Sequence, residues 1–271
     1  MNLNVLNGRS SDYLDSRHRA LAYGDGLFET CWVQHGQIRF WDDHRQRLSE
    51  GAQRLALNWD ADDQHRLESE LTKVLPVSSK PLICKIMLLR QAPGRGYDFD
   101  PEQQRCDRLI QLTDYQQPAW QAEAARVVSS AVPASINPVL AGLKHLNRLD
   151  SVLARQSARV AGAHEALLAL PSGFLVEGSM SNIFIKSGSQ WQTPRLDQAG
   201  VNGIIRRRWL RLGSLIEADW LLEDLPKADG LVLGNALMGI VPVASVDNQA
   251  FVLPSPMELA DLRNLIGLPS D

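Results

Sequence analysis

The hydrophobic and polar positions of this 271-residue chain change period several times. Short apolar or alternating runs at residues 3–6, 24–33 and 38–40, with a turn at His35-Gly36, predict β structure. The period then becomes helical. Leu48, Ala52 and Leu55 recur on one face behind Asp42 or Asp43 as the cap, until Asn58-Trp59-Asp60 stops the pattern. A second helix is predicted over residues 62–75, closed by Pro76, Ser78, Ser79 and Pro81. Residues 82–90 and 108–113 read as strands, and the two glycines of Gly94-Arg95-Gly96-Tyr97 make that segment a loop. Beyond Asp114 the period vanishes into Tyr, Gln, Pro, Trp and Ala, so residues 115–123 read as a linker between a small N-terminal α/β domain (1–114) and a larger C-terminal domain (124–271).

The second half mixes the same elements in another order. A strand at 127–131 leads through Pro133 and Pro138 to a helix from about Asn147, with Leu146, Leu149, Leu153 and Val160 along one face. Strands follow at 166–170, 174–177 and 182–185, then a helix at 202–212 and strands at 231–234 and 240–246. The fold class is mixed α+β in two domains.

Composition narrows the function classes. With 44% hydrophobic and 22% charged residues and a net charge of -3, the chain has material for a real core and no basic surplus for a nucleic-acid partner. No apolar run approaches the roughly 20 residues of a membrane helix. Residues 1–10 lack the basic and apolar regions of a signal peptide, and Cys31, Cys84 and Cys106 form no CxxC pair, so reduced thiols in a cytoplasm are expected. The six histidines make no H-E-x-x-H, and no metal is expected. Dinucleotide, P-loop and nucleophile-elbow motifs are absent too.

Only six of the 28 basic residues are lysines, so amine chemistry has few candidates. Lys73, Lys80, Lys186 and Lys227 lie in polar or turn contexts that predict solvated side chains. Lys144 is hemmed by Leu143, Gly142 and Leu146 ahead of a helix, a setting that desolvates the amine and favours its neutral, nucleophilic form. Lys85, inside Ile83-Cys84-Lys85-Ile86-Met87, is the rival, with an ion pair at a sheet edge as its structural reading. Glu177 ends an apolar strand before Gly178-Ser179-Met180-Ser181-Asn182, where an acid could face a heterocycle. Gly200-Val201-Asn202-Gly203-Ile204 opens a helix and Gly234-Asn235-Ala236 forms a second small-residue turn, both suited to an anion. Arg47, one turn after Asp43, could add a charge-assisted bond to a phosphate. Singly, each has an ordinary reading as a surface lysine, a solvated strand end, a helix cap or a salt bridge. Together, a privileged lysine, an acid and a phosphate cradle are what pyridoxal phosphate requires.

At these residues the sequence resembles the class IV pyridoxal-phosphate enzymes, the branched-chain and D-amino-acid transaminase group. The carriers are Tyr23-Gly24-Asp25-Gly26-Leu27-Phe28-Glu29-Thr30, His44-Arg45-Gln46-Arg47-Leu48, Gly94-Arg95-Gly96-Tyr97, Lys144-His145-Leu146-Asn147-Arg148-Leu149-Asp150, Glu177-Gly178-Ser179-Met180-Ser181-Asn182 and Arg195-Leu196-Asp197-Gln198-Ala199-Gly200-Val201-Asn202-Gly203-Ile204. The lysine segment and the last run resemble the aminodeoxychorismate lyase branch. The resemblance implies a D-amino-acid-aminotransferase-like fold with pyridoxal 5'-phosphate in the interdomain cleft, mainly on the C-terminal domain, and a homodimer. It makes Lys144 the Schiff-base lysine and Glu177 the partner of the pyridine nitrogen. Arg47, with the backbone at Gly203-Ile204 and Asn235-Ala236, becomes the phosphate site, while Arg148 departs from a transaminase tyrosine and has no assigned role. The implied reaction is loss of pyruvate from the small molecule 4-amino-4-deoxychorismate to give p-aminobenzoate for folate synthesis, with Arg95, Tyr97 and Lys85 on the substrate carboxylates. A D-amino-acid or branched-chain aminotransferase of the same fold, and a catalytically silent binding protein on the same scaffold, are the alternatives.

Overall fold

The computed structural model describes residues 2–268. Two compact units divide the chain. One holds the chain up to Gln116 together with Lys144–Asn147, and the other holds Gln117–Leu143 and the chain from Arg148 onward.

In the first unit six strands form one antiparallel sheet: β1 (Asn2–Leu6), β2 (Arg9–Ser10), β3 (Gly26–Gln34), β4 (Gln37–Ile38), β5 (Leu82–Gln91) and β6 (Arg105–Asp114), in the order β2-β1-β6-β5-β3-β4. Alternation along β3 sends Leu27, Glu29, Cys31 and Val33 to the buried face. That face packs on α2 (Trp41–Arg54) through Leu48 and Ala52 and on α3 (Ala61–Val74) through Leu67 and Leu71. The short α1 (Arg19–Tyr23) precedes β3.

The boundaries around β3 and α2 differ from the sequence expectation for identifiable reasons. The strand expected from Gly24 begins at Gly26, because Gly24, in a left-handed conformation at φ +62°, terminates α1 by donating its N–H to the Ala20 carbonyl. The strand expected over 38–40 ends at Ile38, since Phe40 turns to φ +60° and starts α2. Asp42 and Asp43 are therefore not caps. They occupy the first turn, where the helix dipole favours acids.

The second unit is built on nine strands: β7 (Ala125–Ser129), β8 (Glu165–Ala169), β9 (Leu175–Gly178), β10 (Asn182–Ser187), β11 (Gln190–Pro194), β12 (Leu215–Ala218), β13 (Gly230–Asn235), β14 (Gly239–Val246) and β15 (Gln249–Ala250). Their order is β12-β11-β10-β13-β14-β7-β8-β9, with β15 added to β14, and the sheet curls so that β9 returns beside β10. Among the described residues three α-helices accompany it: α4 (Leu149–Val160), α5 (Ile204–Arg211) and α6 (Pro256–Leu265). The sequence reading missed β11, β12, β15 and α6, although Ser255, capping the Glu258 N–H with Pro256 between them, is a legible helix start.

The face expected to anchor α4 is the wrong one. Leu149, Leu153 and Val160 are exposed, whereas Ser151, Ala154 and Ala158 on the opposite side are buried against β7 and β8. Small side chains let the helix lie close to the sheet, and α4 begins at Leu149, two residues later than expected. Among the described residues no helix is long and apolar enough to cross a membrane.

Candidate functional site

Lys144 is seated on the edge of β3 that β5 leaves open. The Phe28 N–H donates to the Lys144 carbonyl at 2.9 Å and the Leu146 N–H to the Gly26 carbonyl at 3.1 Å, so residues 144–146 continue the sheet for one bridge. Gly26 and Gly24 permit this approach. A Cβ at Gly24 would fall 2.6 Å from Asn147 Oδ1, and one at Gly26 would collide with the Leu88 carbonyl. The half-buried Lys144 then lays its Nζ 4.3 Å from the centroid of the Phe28 ring. Lys85 reaches the same ring, with its Nζ at 5.2 Å. The expectation of a sheet-edge ion pair for Lys85 is corrected: β5 lies between β6 and β3, and Lys85 makes a ring contact instead. Lys186, expected to be solvated, is half-buried and pairs with Glu258 at 2.7 Å.

Beneath β3 lies a charged cluster that the sequence reading did not assemble. Glu29 is 1% exposed and receives Arg47 Nε at 2.7 Å, Arg47 Nη2 at 2.5 Å and His44 Nδ1 at 2.6 Å. Burial pushes the Glu29 carboxyl upward, but Arg47 and His44 overcome it and hold the group at about 2, against an ordinary 4.5. His44 Nε2 is buried with no hydrogen-bond partner among the described residues. The signal was available: an acid on the inward register of an apolar strand needs a cation, and the next helix offers His44 and Arg47 at i, i+3.

Arg95 and Tyr97 are exposed on the loop after β5. Arg19 clasps that loop, donating to the carbonyls of Gly96 at 3.0 Å, Tyr97 at 3.2 Å and Asp98 at 3.3 Å. Its Nε binds Asp25 at 2.9 Å, and Asp25 is also held by Arg90 at 3.0 Å.

In the second unit Glu177, 4% exposed, ends β9. Arg148 Nη2 donates to its Oε1 at 2.7 Å and the Val201 N–H to its Oε2 at 2.9 Å. Asn182, also buried, donates to the Val201 carbonyl at 2.9 Å and accepts the Gly203 N–H at 3.1 Å, which fixes the entry to α5. No side chain caps α5 and its first turn holds no acid, so its N-terminal N–H groups retain the positive end of the dipole. A Cβ at Gly203 would collide with Asn182 Oδ1. Asn235 Oδ1 accepts the N–H groups of Leu237 and Met238, both at 2.9 Å, and its amide donates to the Met180 carbonyl at 3.0 Å, so this side chain shapes the turn that carries the buried Ala236. The fully buried Glu165 gathers the hydroxyls of Ser179 and Ser181 and the N–H groups of Ala166, Ser179 and Met180, tying down the turn after Glu177.

These donors fit pyridoxal 5'-phosphate. In the first unit the lysine amine lies against the Phe28 ring; in the second, Glu177 accepts from Arg148 and a backbone N–H, which favours an anionic acid, and the uncapped start of α5 without acids suits a phosphate. No group of three or more His, Cys, Asp or Glu that could hold a metal occurs among the described residues.

The sequence matches the Amino-transferase class IV family over residues 26–246. It is similar to the structure of 4-amino-4-deoxychorismate lyase from Pseudomonas aeruginosa, with a TM-score of 0.85 and 32% identity over 97% of this chain and 98% of that one. Aminodeoxychorismate lyase of Vibrio harveyi is 28% identical over 250 residues, 89% of this chain and 90% of that protein. D-alanine aminotransferase of Bacillus licheniformis is 25% identical over 255 residues, covering 92% and 88%. The chain belongs to the class IV aminotransferase family of pyridoxal 5'-phosphate-dependent enzymes.

Proposed function

We propose that this enzyme is an aminodeoxychorismate lyase, which removes pyruvate from 4-amino-4-deoxychorismate and leaves p-aminobenzoate. The observation that carries the reading is the 32% identity to the Pseudomonas lyase along almost the full length of both chains. Bound through Lys144, pyridoxal phosphate supplies an electron sink for the carbon that carries the substrate amine. The Lys144 amine would act as the general base that takes the C4 proton. The C3–O bond breaks, the ring becomes aromatic, and the departing enolpyruvate takes a proton at its methylene carbon to become pyruvate. Glu177, as an anion, would serve the ring nitrogen. The backbone of Gly203, Ile204, Asn235 and Ala236 would hold the phosphate, and Arg47, whose guanidinium Glu29 orients, would add a charge. Lys85, Arg95 and Tyr97 hold the substrate carboxylates, so the protein's main work is orientation of the C4–H bond.

The deciding assay adds 4-amino-4-deoxychorismate with no keto acid present and follows p-aminobenzoate fluorescence. Steady product formation is expected. Absence of product together with turnover of D-alanine and 2-oxoglutarate would overturn the lyase reading in favour of an aminotransferase. Lys144→Ala should be inactive and lack the visible band that borohydride bleaches in the parent enzyme. A homodimer is part of the same reading, and light scattering should give about twice the chain mass of 30.1 kDa.

A further inference from the structure

Arg148 has no place in the reaction outlined above, yet its Nη2 donates to Glu177 Oε1 at 2.7 Å. It stands at the residue before α4, where its side chain caps nothing. The same Nη2 donates to Ser151 Oγ at 2.7 Å, which anchors the guanidinium on the first turn of the helix. Glu177 thus meets a fixed cation on one oxygen and a backbone N–H on the other. Arg206 of α5, whose charge Glu177 favours, and Glu165 of β8, which hydroxyl and backbone donors hold, are further charged groups at this strand end. A buried carboxylate that loses an adjacent positive charge takes up a proton more readily, and a neutral acid would not support a cationic ring nitrogen.

We propose that Arg148 is a positioning residue for the reaction, holding Glu177 ionised and in one orientation so that an oxygen is presented to the nitrogen of the bound heterocycle. The inference rests on the assignment of Glu177 to that nitrogen. It links two parts of one short segment, since Arg148 follows the reactive lysine by four residues and the same stretch of chain therefore sets both the base and the acid.

The test uses the holoenzyme and three variants, R148M, R148K and E177Q, with a pH titration of the cofactor's visible absorbance beside the pH profile of kcat. In R148M the acid transition of the band and the acid limb of kcat should both move up by about one unit or more, because a fixed positive charge beside the carboxylate is gone. The loss should fall on kcat and leave KM nearly unchanged. R148K, which keeps the charge, should recover most of the shift. R148M titrating like the parent while E177Q alters the band would reduce Arg148 to a brace for α4 and overturn the proposal. An unaltered band in E177Q would overturn the Glu177 assignment and the proposal with it. Should R148M fail to fold, R148Q, which can still reach Ser151 but carries no charge, makes the same comparison.

Discussion

Glu29 shows how much one residue on the inward register of a strand can decide. Alternation with Leu27, Cys31 and Val33 places it in the core of the first unit, where its charge is tolerable only against Arg47 and His44. Removing the acid takes the carboxylate away from a buried guanidinium. Glu29→Gln should therefore cost about 3–5 kcal/mol in urea unfolding, and the double variant E29M/R47M should cost less than E29M alone. The pH dependence follows from a folded-state value near 2 against 4.5 in the unfolded chain. This stabilisation is complete above pH 4.5 and is lost as pH falls from 4.5 towards 2, and in Glu29→Gln that part of the acid-unfolding curve should flatten. The residue types were visible in the sequence, but their meeting was not, because a strand and a helix supply them.

Among the elements, α5 and the loop after β5 carry the clearest consequences. Gly203 admits the Asn182 amide that fixes the start of α5, and Gly203→Ala forces the two apart. The variant should bind pyridoxal phosphate at least tenfold more weakly, about 1.4 kcal/mol, by equilibrium dialysis. Arg19 spans three carbonyls of the loop that carries Arg95 and Tyr97 while Asp25 holds its Nε. In Arg19→Ala the loop loses that clasp. Limited proteolysis should nick residues 94–98 and the substrate KM should rise several-fold, whereas Arg19→Lys, with one donor group in place of a planar fork, should rescue little. Helix α4 supplies the opposite lesson. Its large apolar residues mark the exposed side, and Ala154 and Ala158, which hydropathy barely distinguishes, make the contact that fixes the helix.

For the molecule as a whole, three buried cysteines separate composition from environment. Burial raises Cys31 well above its ordinary 9.0 and lifts Cys84 and Cys106 to about 12. The native enzyme should thus release no thionitrobenzoate from Ellman's reagent, and the unfolded chain should release three equivalents, one for each cysteine. The sequence by itself determined the class, most of the long strands and helices, the scarcity of lysine and the short motifs around Lys144, Glu177 and Gly203, because these depend on local period, turn chemistry and residue type. Tertiary structure alone decided which charges meet. It set Arg148 on Glu177, joined Glu29 to His44 and Arg47, brought Lys85 and Lys144 to one ring, and attached Lys144–Asn147 to the unit formed by the first part of the chain. The physical reason is that hydrophobic period reports which side of an element is apolar. Partners for buried charge and seats for small helix faces arise only when distant segments close on one another.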